Sequence, residues 1–346
     1  MENPVFYDGS RLLSLKDING KTPEIFISET NRSAGKTTYF GRLCVNAWKR
    51  GKGKFCLVYR YNYELDDIAD KFYKDISRLF FQNSVMKSKR RANGIFHELE
   101  IDGESCGYAI SLNSSDQIKK YSHLFSDVRR MLYDEFQSET NHYCTQEVKK
   151  LISVHTSIAR GNGKHVRYVP IYMLSNPVTI LNPYYVELGI STRLRDDTKY
   201  LRGDGFVLER GFVQSASAAQ LESGFNRAFA QNSYIAYSAQ SAYLNDNSAF
   251  VDKPRGRGRY LVTLKYNSKL YGVREYAEDG IIYCDDSADI TYPDKICVTT
   301  ADHNTNYVML RRNAIFISNL RWYFERGCFR FKNLQCKEAI LKALSY

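Results

Sequence analysis

The sequence predicts an α/β chain whose first part is a mostly parallel sheet built around one glycine turn. Three observations carry that expectation. A short apolar run, Ile25-Phe26-Ile27, leads into Ser33-Ala34-Gly35-Lys36-Thr37-Thr38. Apolar residues then recur at Phe40, Leu43, Cys44, Ala47 and Trp48, the spacing of one helix face. Downstream, Met131-Leu132-Tyr133 is an apolar run that closes on two acids, Asp134-Glu135.

Strand, glycine turn and helix are the context that a phosphate-binding loop requires. Backbone N–H groups of residues 30–38 would cradle phosphates at the helix N-terminus, where the helix dipole favours negative charge. Lys36 would reach the β- and γ-phosphates of ATP, and the Thr37 hydroxyl would ligate Mg²⁺. One residue departs from the pattern G-x-x-x-x-G-K-[ST]: position 30 holds Thr30 in place of the first glycine. The loop residues are thus Thr30, Asn31, Arg32, Ser33, Ala34, Gly35, Lys36, Thr37 and Thr38. In phosphate-loop ATPases with an additional strand beside the loop strand, paired acids at a strand end divide two tasks. Asp134 would hold the metal shell and Glu135 would polarise the attacking water.

The chain has 346 residues, room for two domains, and its 43% hydrophobic content suits a real core. The 27 tyrosines and 19 phenylalanines favour sheet-rich packing. A net charge of +11 points to a polyanionic partner, most simply nucleic acid. No stretch is apolar and long enough to span a membrane, and the N-terminus does not read as an export signal. The eight cysteines form no Cys-x-x-Cys and no zinc spacing, so they read as reduced thiols of a cytosolic protein.

In chain order, residues 1–24 read as an entry segment that brings Tyr7 and Leu12-Leu13 near the nucleotide. Gly51-Lys52-Gly53 stops the first helix, and Phe55 to Tyr59 is a buried strand. A helix is expected over 63–80. Lys87 to Arg91 is a basic cluster that reads as a solvated loop tip, with DNA contact as the alternative. Asp102-Gly103 joins two strands, 95–101 and 106–112, as a hairpin. A helix over 145–160, with Val148, Leu151, Ile152 and His155 on its apolar face, ends at Arg160-Gly161-Asn162-Gly163. The strand Tyr168 to Leu174 ends at Ser175-Asn176, where Asn176 would sense the γ-phosphate. Turn chemistry is the alternative there. Phe206 to Val213 closes the first domain.

The expected domains are 1–214, a phosphate-loop ATPase; 215–247, a small Ser/Ala/Asn/Gln-rich linker subdomain; and 248–346. Within the last, Lys253 to Arg259 is a basic, glycine-rich loop that reads either as a solvated loop or as a contact to a DNA backbone. Strands follow at 260–266, 270–276, 281–284 and 296–299, then helices at 308–326 and 334–345.

Taken together, these blocks resemble a viral DNA-packaging ATPase of the terminase-large-subunit type. The resemblance is strongest to the encapsidation ATPases of short-tailed, protein-primed phages (Picovirinae type). It is carried by Phe6-Tyr7, Thr30 to Thr37 with Arg32 inside the loop, and Tyr59-Arg60-Tyr61 before Glu64-Leu65. It continues through Ile101-Asp102-Gly103, Gly107 to Ile110, Tyr133 to Phe136, Leu174 to Asn176 and Asn182-Pro183-Tyr184. It implies a RecA-like ATPase domain of the additional-strand, catalytic-glutamate (ASCE) class and a vestigial RNase H-like nuclease domain. It also implies a homo-oligomeric ring, a pentamer, on the portal (connector) of a procapsid. The ring would translocate double-stranded DNA by ATP hydrolysis in the host cytoplasm, in some relatives with a packaging RNA. By the same resemblance Arg32 would contact the γ-phosphate or Glu135, Arg160 would act in trans, and Lys119 or Lys120 would be a trans-acting lysine. A DNA helicase, or a DNA-binding protein with a vestigial ATP site, are the alternatives. No guanine-reading Asn-Lys-x-Asp is present, which argues against a GTPase.

The nuclease expectation is specific. A two-metal nuclease needs carboxylates converging from several strands. Tyr260 to Tyr266 carries none, and Asp285, Asp286 and Asp289 cluster at one strand end. A fold without DNA cleavage is therefore expected.

Overall fold

The computed structural model describes residues 6–161, 163, 165–195, 197–240, 243–244, 249–309 and 314–344. It divides into two compact units. The first comprises Met1–Phe136, Glu147–Pro177 and Leu194–Ala242. The second comprises Gln137–Gln146, Val178–Arg193 and Tyr243–Tyr346.

The first unit is a nine-stranded sheet. Its strands are β1 (Ile25–Glu29), β2 (Lys54–Tyr59), β3 (Met86–Arg91), β4 (Phe96–Ile101), β5 (Glu104–Ser111), β6 (Val128–Tyr133), β7 (Ile171–Ser175), β8 (Tyr200–Arg202) and β9 (Phe206–Arg210). They lie in the order β3-β4-β5-β2-β6-β7-β1-β9-β8. Neighbours from β5 to β9 are parallel, and the two ends of the sheet are antiparallel. The central strands are buried along most of their length, as near-continuous apolar runs should be when a parallel sheet is covered on both faces. β7 separates the loop strand β1 from the acid strand β6, which is the additional-strand arrangement. The helix Lys36–Lys49 follows β1 and buries Phe40, Cys44 and Val45.

Several elements differ from the sequence expectation, each for a local reason. The basic cluster at 87–91 is an edge strand, not a loop tip. Its charges are matched across the hairpin, Lys89 to Glu100 at 2.7 Å and Arg91 to Glu98 at 2.6 Å. Charged side chains on an edge also discourage further strand pairing. The helix expected over 63–80 breaks at Asp67, whose φ is +56°, into a short turn Asn62–Leu65 and a helix Ile68–Phe80. The helix expected over 145–160 runs Glu147–Ile158 and buries Leu151, Val154, Ser157 and Ile158. Ile152, placed on the apolar face by periodicity, is exposed. Asn162 of the expected stop lies outside the described residues. β7 begins at Ile171 because Pro170 has no N–H for the ladder. The hairpin is as expected: Asp102 (φ +53°) and Gly103 (φ +89°) take the two left-handed positions of a two-residue turn.

The segment expected as a linker subdomain supplies three helices, Gln214–Glu222, Gly224–Ala228 and Ser233–Gln240, and these belong to the first unit. They are held there by bonds to the glycine loop, described below. Residues 241–242 and 245–248 lie outside the described residues, as do 1–5 of the entry segment.

The second unit has a six-stranded sheet, β14-β13-β10-β11-β12-β15. Its strands are β10 (Arg259–Tyr266), β11 (Lys269–Tyr276), β12 (Ile281–Asp285), β13 (Lys295–Cys297), β14 (Val308–Met309) and β15 (Phe329–Phe331). β10, β11 and β12 form an antiparallel meander; β13, β14 and β15 add in parallel. Meander strands followed by parallel additions are the RNase H-like pattern. Helices Ala314–Glu325 and Leu334–Ala343 accompany the sheet. The helix expected from 308 is thus a strand at its start; 310–313 and 345 lie outside the described residues. β15 and β8 were too short to register as periodic runs.

Candidate nucleotide site

β1, β7 and β6 are adjacent and parallel, so their C-terminal ends deliver the glycine loop, Ser175-Asn176 and Asp134-Glu135 to one edge of the sheet. In open parallel sheets, ligands bind outside that edge.

Thr30 is buried, and its N–H donates to the Ser175 carbonyl at 3.2 Å, extending the β1–β7 pairing. It is not among the residues with positive φ, so this loop entry does not require glycine. Asn31 is buried and exchanges two bonds with Val213: Val213 N donates to Oδ1 at 2.9 Å and Nδ2 donates to the Val213 carbonyl at 3.1 Å. The Arg32 N–H donates to the Ser238 carbonyl at 3.0 Å, and its guanidinium donates to the Tyr234 hydroxyl. Ser33, at φ +59°, accepts from Gln220 Nε2 at 2.9 Å. Ala34 is buried, and its carbonyl accepts from Tyr7 N at 2.8 Å. Gly35 caps the helix at φ +94°, a conformation open to glycine at little cost. The loop is therefore braced by the N-terminal segment on one side and by the 214–240 helices on the other.

Lys36 is buried, and its Nζ donates to Asn176 Oδ1 at 2.6 Å. Burial pushes the Lys36 ammonium below the usual lysine range; Asp134 and Glu135 pull it back only in part. Thr37 is exposed on the first helical turn, and Thr38 is half-buried behind it. Asp134 is half-buried and accepts the Glu135 N–H at 2.9 Å. Glu135 is exposed and holds φ +52°, an uncommon conformation for a residue with a side chain. A buried ammonium and an open threonine hydroxyl on the first turn of the helix, with a half-buried carboxylate past β6 near enough to act on that ammonium, fit the donor set for Mg-ATP. A cavity of about 680 Å³ adjoins the loop, lined in part by Phe6, Gly35, Lys36, Arg42 and Phe80.

Two networks centred on buried acids, Glu147 and Glu209, stand behind these groups, and sequence reasoning missed both. Arg60, after β2, forks onto Glu147, with Nε to Oε2 at 2.8 Å and Nη2 to Oε1 at 3.1 Å. The same Nη2 donates to the Phe136 carbonyl at 2.8 Å, and Tyr133 donates to Glu147 at 2.7 Å. The signal available was an acid opening an otherwise apolar helix face. In the second network, Tyr7 and Tyr200 both donate to Glu209, at 2.5 and 2.9 Å, and Ser28 donates to Tyr7 at 2.9 Å.

Arg160 is exposed beyond the last turn of Glu147–Ile158. Its carbonyl and that of Val128, the first residue of β6, accept from one guanidinium, that of Arg167. Glu135 lies past the other end of β6. At about 3.3 Å per residue the two ends are roughly 20 Å apart. The structure thus gathers the loop, Asn176, Asp134 and Glu135, and leaves Arg160 at the far end of the acid strand. Lys119 and Lys120 are exposed at the start of the turn Lys119–Phe125, where Lys119 pairs with Asp116 at 3.0 Å.

In the second unit, Asp285 pairs with Arg274 at 2.6 Å, Asp286 pairs with Lys332 at 2.6 Å, and Asp289 accepts from Thr291. Among the described residues, no group of three or more His, Cys, Asp or Glu side chains could hold a metal ion. All eight cysteines are free thiols, and among the described residues no helix is long and apolar enough to cross a membrane.

The model of the podovirus DNA encapsidation protein (Gp16) family matches residues 1–344. The chain belongs to this family. It is 23% identical over 337 residues to the DNA packaging protein of Bacillus phage phi29, covering 96% of this chain and 95% of that protein. It is equally 23% identical over 323 residues to that of Bacillus phage B103, covering 91% and 93%. Among solved structures, the phi29 viral genome packaging motor assembly matches with a TM-score of 0.56 at 22% identity, over 99% of this chain and 98% of that one. The Phi-28 gp11 DNA packaging motor matches with a TM-score of 0.60 at 16% identity, over 99% of both chains. The encapsidation ATPase expected from sequence is therefore the family found, and its α/β fold is shared end to end with packaging motors.

Proposed function

We propose that this chain is the ATP-hydrolysing subunit of a motor that drives double-stranded DNA into a procapsid. The observation that supports this best is the delivery of Lys36, Asn176 and Asp134-Glu135 to one sheet edge in a member of the encapsidation family. In this reading the loop N–H groups and Lys36 hold the phosphates, and Thr37 and Asp134 hold Mg²⁺. The metal, when bound, neutralises charge on the transferring phosphoryl. Glu135 orients the water and takes its proton, and Asn176 reads the γ-phosphate. The cavity beside Phe6 and Phe80 takes the base.

Arg160 acts on a neighbour's ATP. A roughly 20 Å strand separates it from Glu135 in its own subunit, farther than an arginine side chain extends. This favours a homo-oligomeric ring, with the portal as its seat. Lys120 suits the trans-acting lysine better than Lys119, because Asp116 already engages Lys119. The second unit serves as a nuclease-like fold without cleavage, Asp285 and Asp286 being paired with Arg274 and Lys332. The net charge of +11 suits DNA and, where relatives use one, a packaging RNA.

The test is ATPase turnover with and without double-stranded DNA, followed by packaging with procapsids and imaging for rings. DNA-stimulated hydrolysis with DNA protected inside procapsids is expected. Hydrolysis accompanied by strand separation would favour a helicase, and DNA binding without hydrolysis would leave a vestigial site.

A further inference from the structure

Arg167 is a buried cation that no part of the nucleotide site uses; its side chain reaches four backbone carbonyls. Nη1 donates to Val128 O at 2.8 Å. Nη2 is within reach of Phe125 O at 3.5 Å, Arg160 O at 3.3 Å and Ile158 O. Its own N–H donates to Ala159 O at 2.8 Å. The residue is only 5% exposed.

The identity of those carbonyls matters. That of Ile158 belongs to the end of a helix, where carbonyls lack intrahelical partners and carry partial negative charge, and that of Arg160 lies two residues beyond it. Val128 opens β6, the strand that ends on the catalytic acids. Phe125 closes the turn that begins with Lys119 and Lys120. A planar guanidinium with five donors can span acceptors on three segments; a lysine ammonium, a compact point donor, cannot. Burial without a carboxylate partner among these contacts costs desolvation, seen in the Arg167 guanidinium lying below its ordinary range. Asp127 acts on the charge through space, while these hydrogen bonds all go to carbonyls, so the arrangement is a brace built from backbone rather than an ion pair.

We infer that Arg167 is a positioning residue for the trans-acting edge: it ties the Arg160 turn and the Lys119–Phe125 turn to the base of β6, so that both cations are presented to the neighbouring subunit as one rigid surface. The inference rests on the trans reading of Arg160. The ring then has a direct mechanical link, through β6, between the acids at one site and the arginine presented to the next.

The experiment compares Arg167→Met and Arg167→Lys with Arg160→Ala in full-length rings, reading DNA-stimulated kcat and KM, nucleotide affinity, and recovery on mixing with Glu135→Gln. A misplacement of about 1 Å costs on the order of 10²-fold in rate, so kcat is expected to fall by about that factor in Arg167→Met while nucleotide affinity is kept. Arg167→Lys is expected to fall between, and it carries the comparison if the Met variant does not fold. Adding Arg167→Met to Arg160→Ala should cost little more than Arg160→Ala alone. Mixing with Glu135→Gln should restore turnover, because an Arg167 variant offers a poor finger but accepts a good one. Recovery by Arg160→Ala but not by either Arg167 variant would overturn the inference, as would unchanged kcat. Full turnover in Arg160→Ala itself would instead remove the trans reading on which the inference stands.

Discussion

Lys36 Nζ donates to Asn176 Oδ1 at 2.6 Å, joining the first turn of the loop helix to the residue that follows β7. In the proposed site, phosphate would compete with this amide oxygen for the three donors of the Lys36 ammonium. Arrival of a γ-phosphate is then expected to weaken or redirect that contact more than ADP does. Asn176→Ala is expected to lower turnover on the order of 10²-fold, as loss of one oriented polar group at a reacting centre does, with ADP affinity largely kept. Steady-state ATPase beside an ADP titration checks this. Equal losses in both would make Asn176 a general brace.

The buried Lys36 ammonium lies below the ordinary lysine range, chiefly through desolvation. Bound phosphates add negative charge and favour the protonated form. Nucleotide binding should therefore take up protons in the window between the lowered and the restored values, and affinity should fall as pH rises through it. The sign for folding is opposite. The unfolded chain keeps this proton to higher pH, so the contribution of Lys36 to stability rises as pH climbs from its folded value towards the ordinary one. Binding heats in buffers of different ionisation enthalpy measure the proton count. A count of zero throughout the alkaline range would reject the linkage.

Glu135→Gln should bind ATP and hydrolyse it on the order of 10²–10⁴-fold more slowly, as removal of a general base does. Lys36→Ala should lose binding as well. A Gln variant with normal single-turnover rates would move the base elsewhere.

The sequence made the centre of this fold legible and its margins obscure. β1, β2, β6 and the loop helix announce themselves because a covered parallel sheet needs unbroken apolar runs. Asp102-Gly103 is equally plain, since few residue pairs tolerate two left-handed positions. The 87–91 strand was hidden because its basic face is neutralised by Glu98 and Glu100 on the partner strand, information that pairing alone supplies. The loop residues and paired acids were readable as motifs. The Arg60–Glu147 and Arg167 contacts were not, because Arg60 reaches Glu147 and Arg167 reaches Val128 across long stretches of chain, and both use backbone carbonyls that leave no mark in sequence.

The second unit is expected to show no DNA cleavage with Mg²⁺ or Mn²⁺. Arg274 and Lys332 sit on Asp285 and Asp286 at 2.6 Å, and Lys332 holds the Asp286 carboxyl below the usual range. A metal would have to displace both cations. Incubation of supercoiled DNA with either ion is the assay. Nicking that Asp285→Asn abolishes would refute this expectation.

Glu147 is fully buried and Arg60 is 8% exposed, so their pair is one that solvent screens little. Removing one partner from such a pair typically costs about 3–5 kcal/mol, because the other charge stays in the interior with less to offset it. Glu147→Ala is therefore expected to lose about that much in urea unfolding of the full chain. Replacing both residues with apolar ones, Arg60→Met with Glu147→Leu, should recover part of the loss, since the desolvation cost disappears along with the attraction while the buried Tyr133 hydroxyl and the Phe136 carbonyl each lose a partner. Turnover should not recover with it. Arg60 also donates to the carbonyl of Phe136, next to a Glu135 held at φ +52°, and methionine offers no donor there. A stable but slow double variant would separate the two roles of Arg60, support of the core and support of the acid turn. A Glu147→Ala loss below about 1 kcal/mol, the range of an exposed pair, would show that the network is not buried in solution.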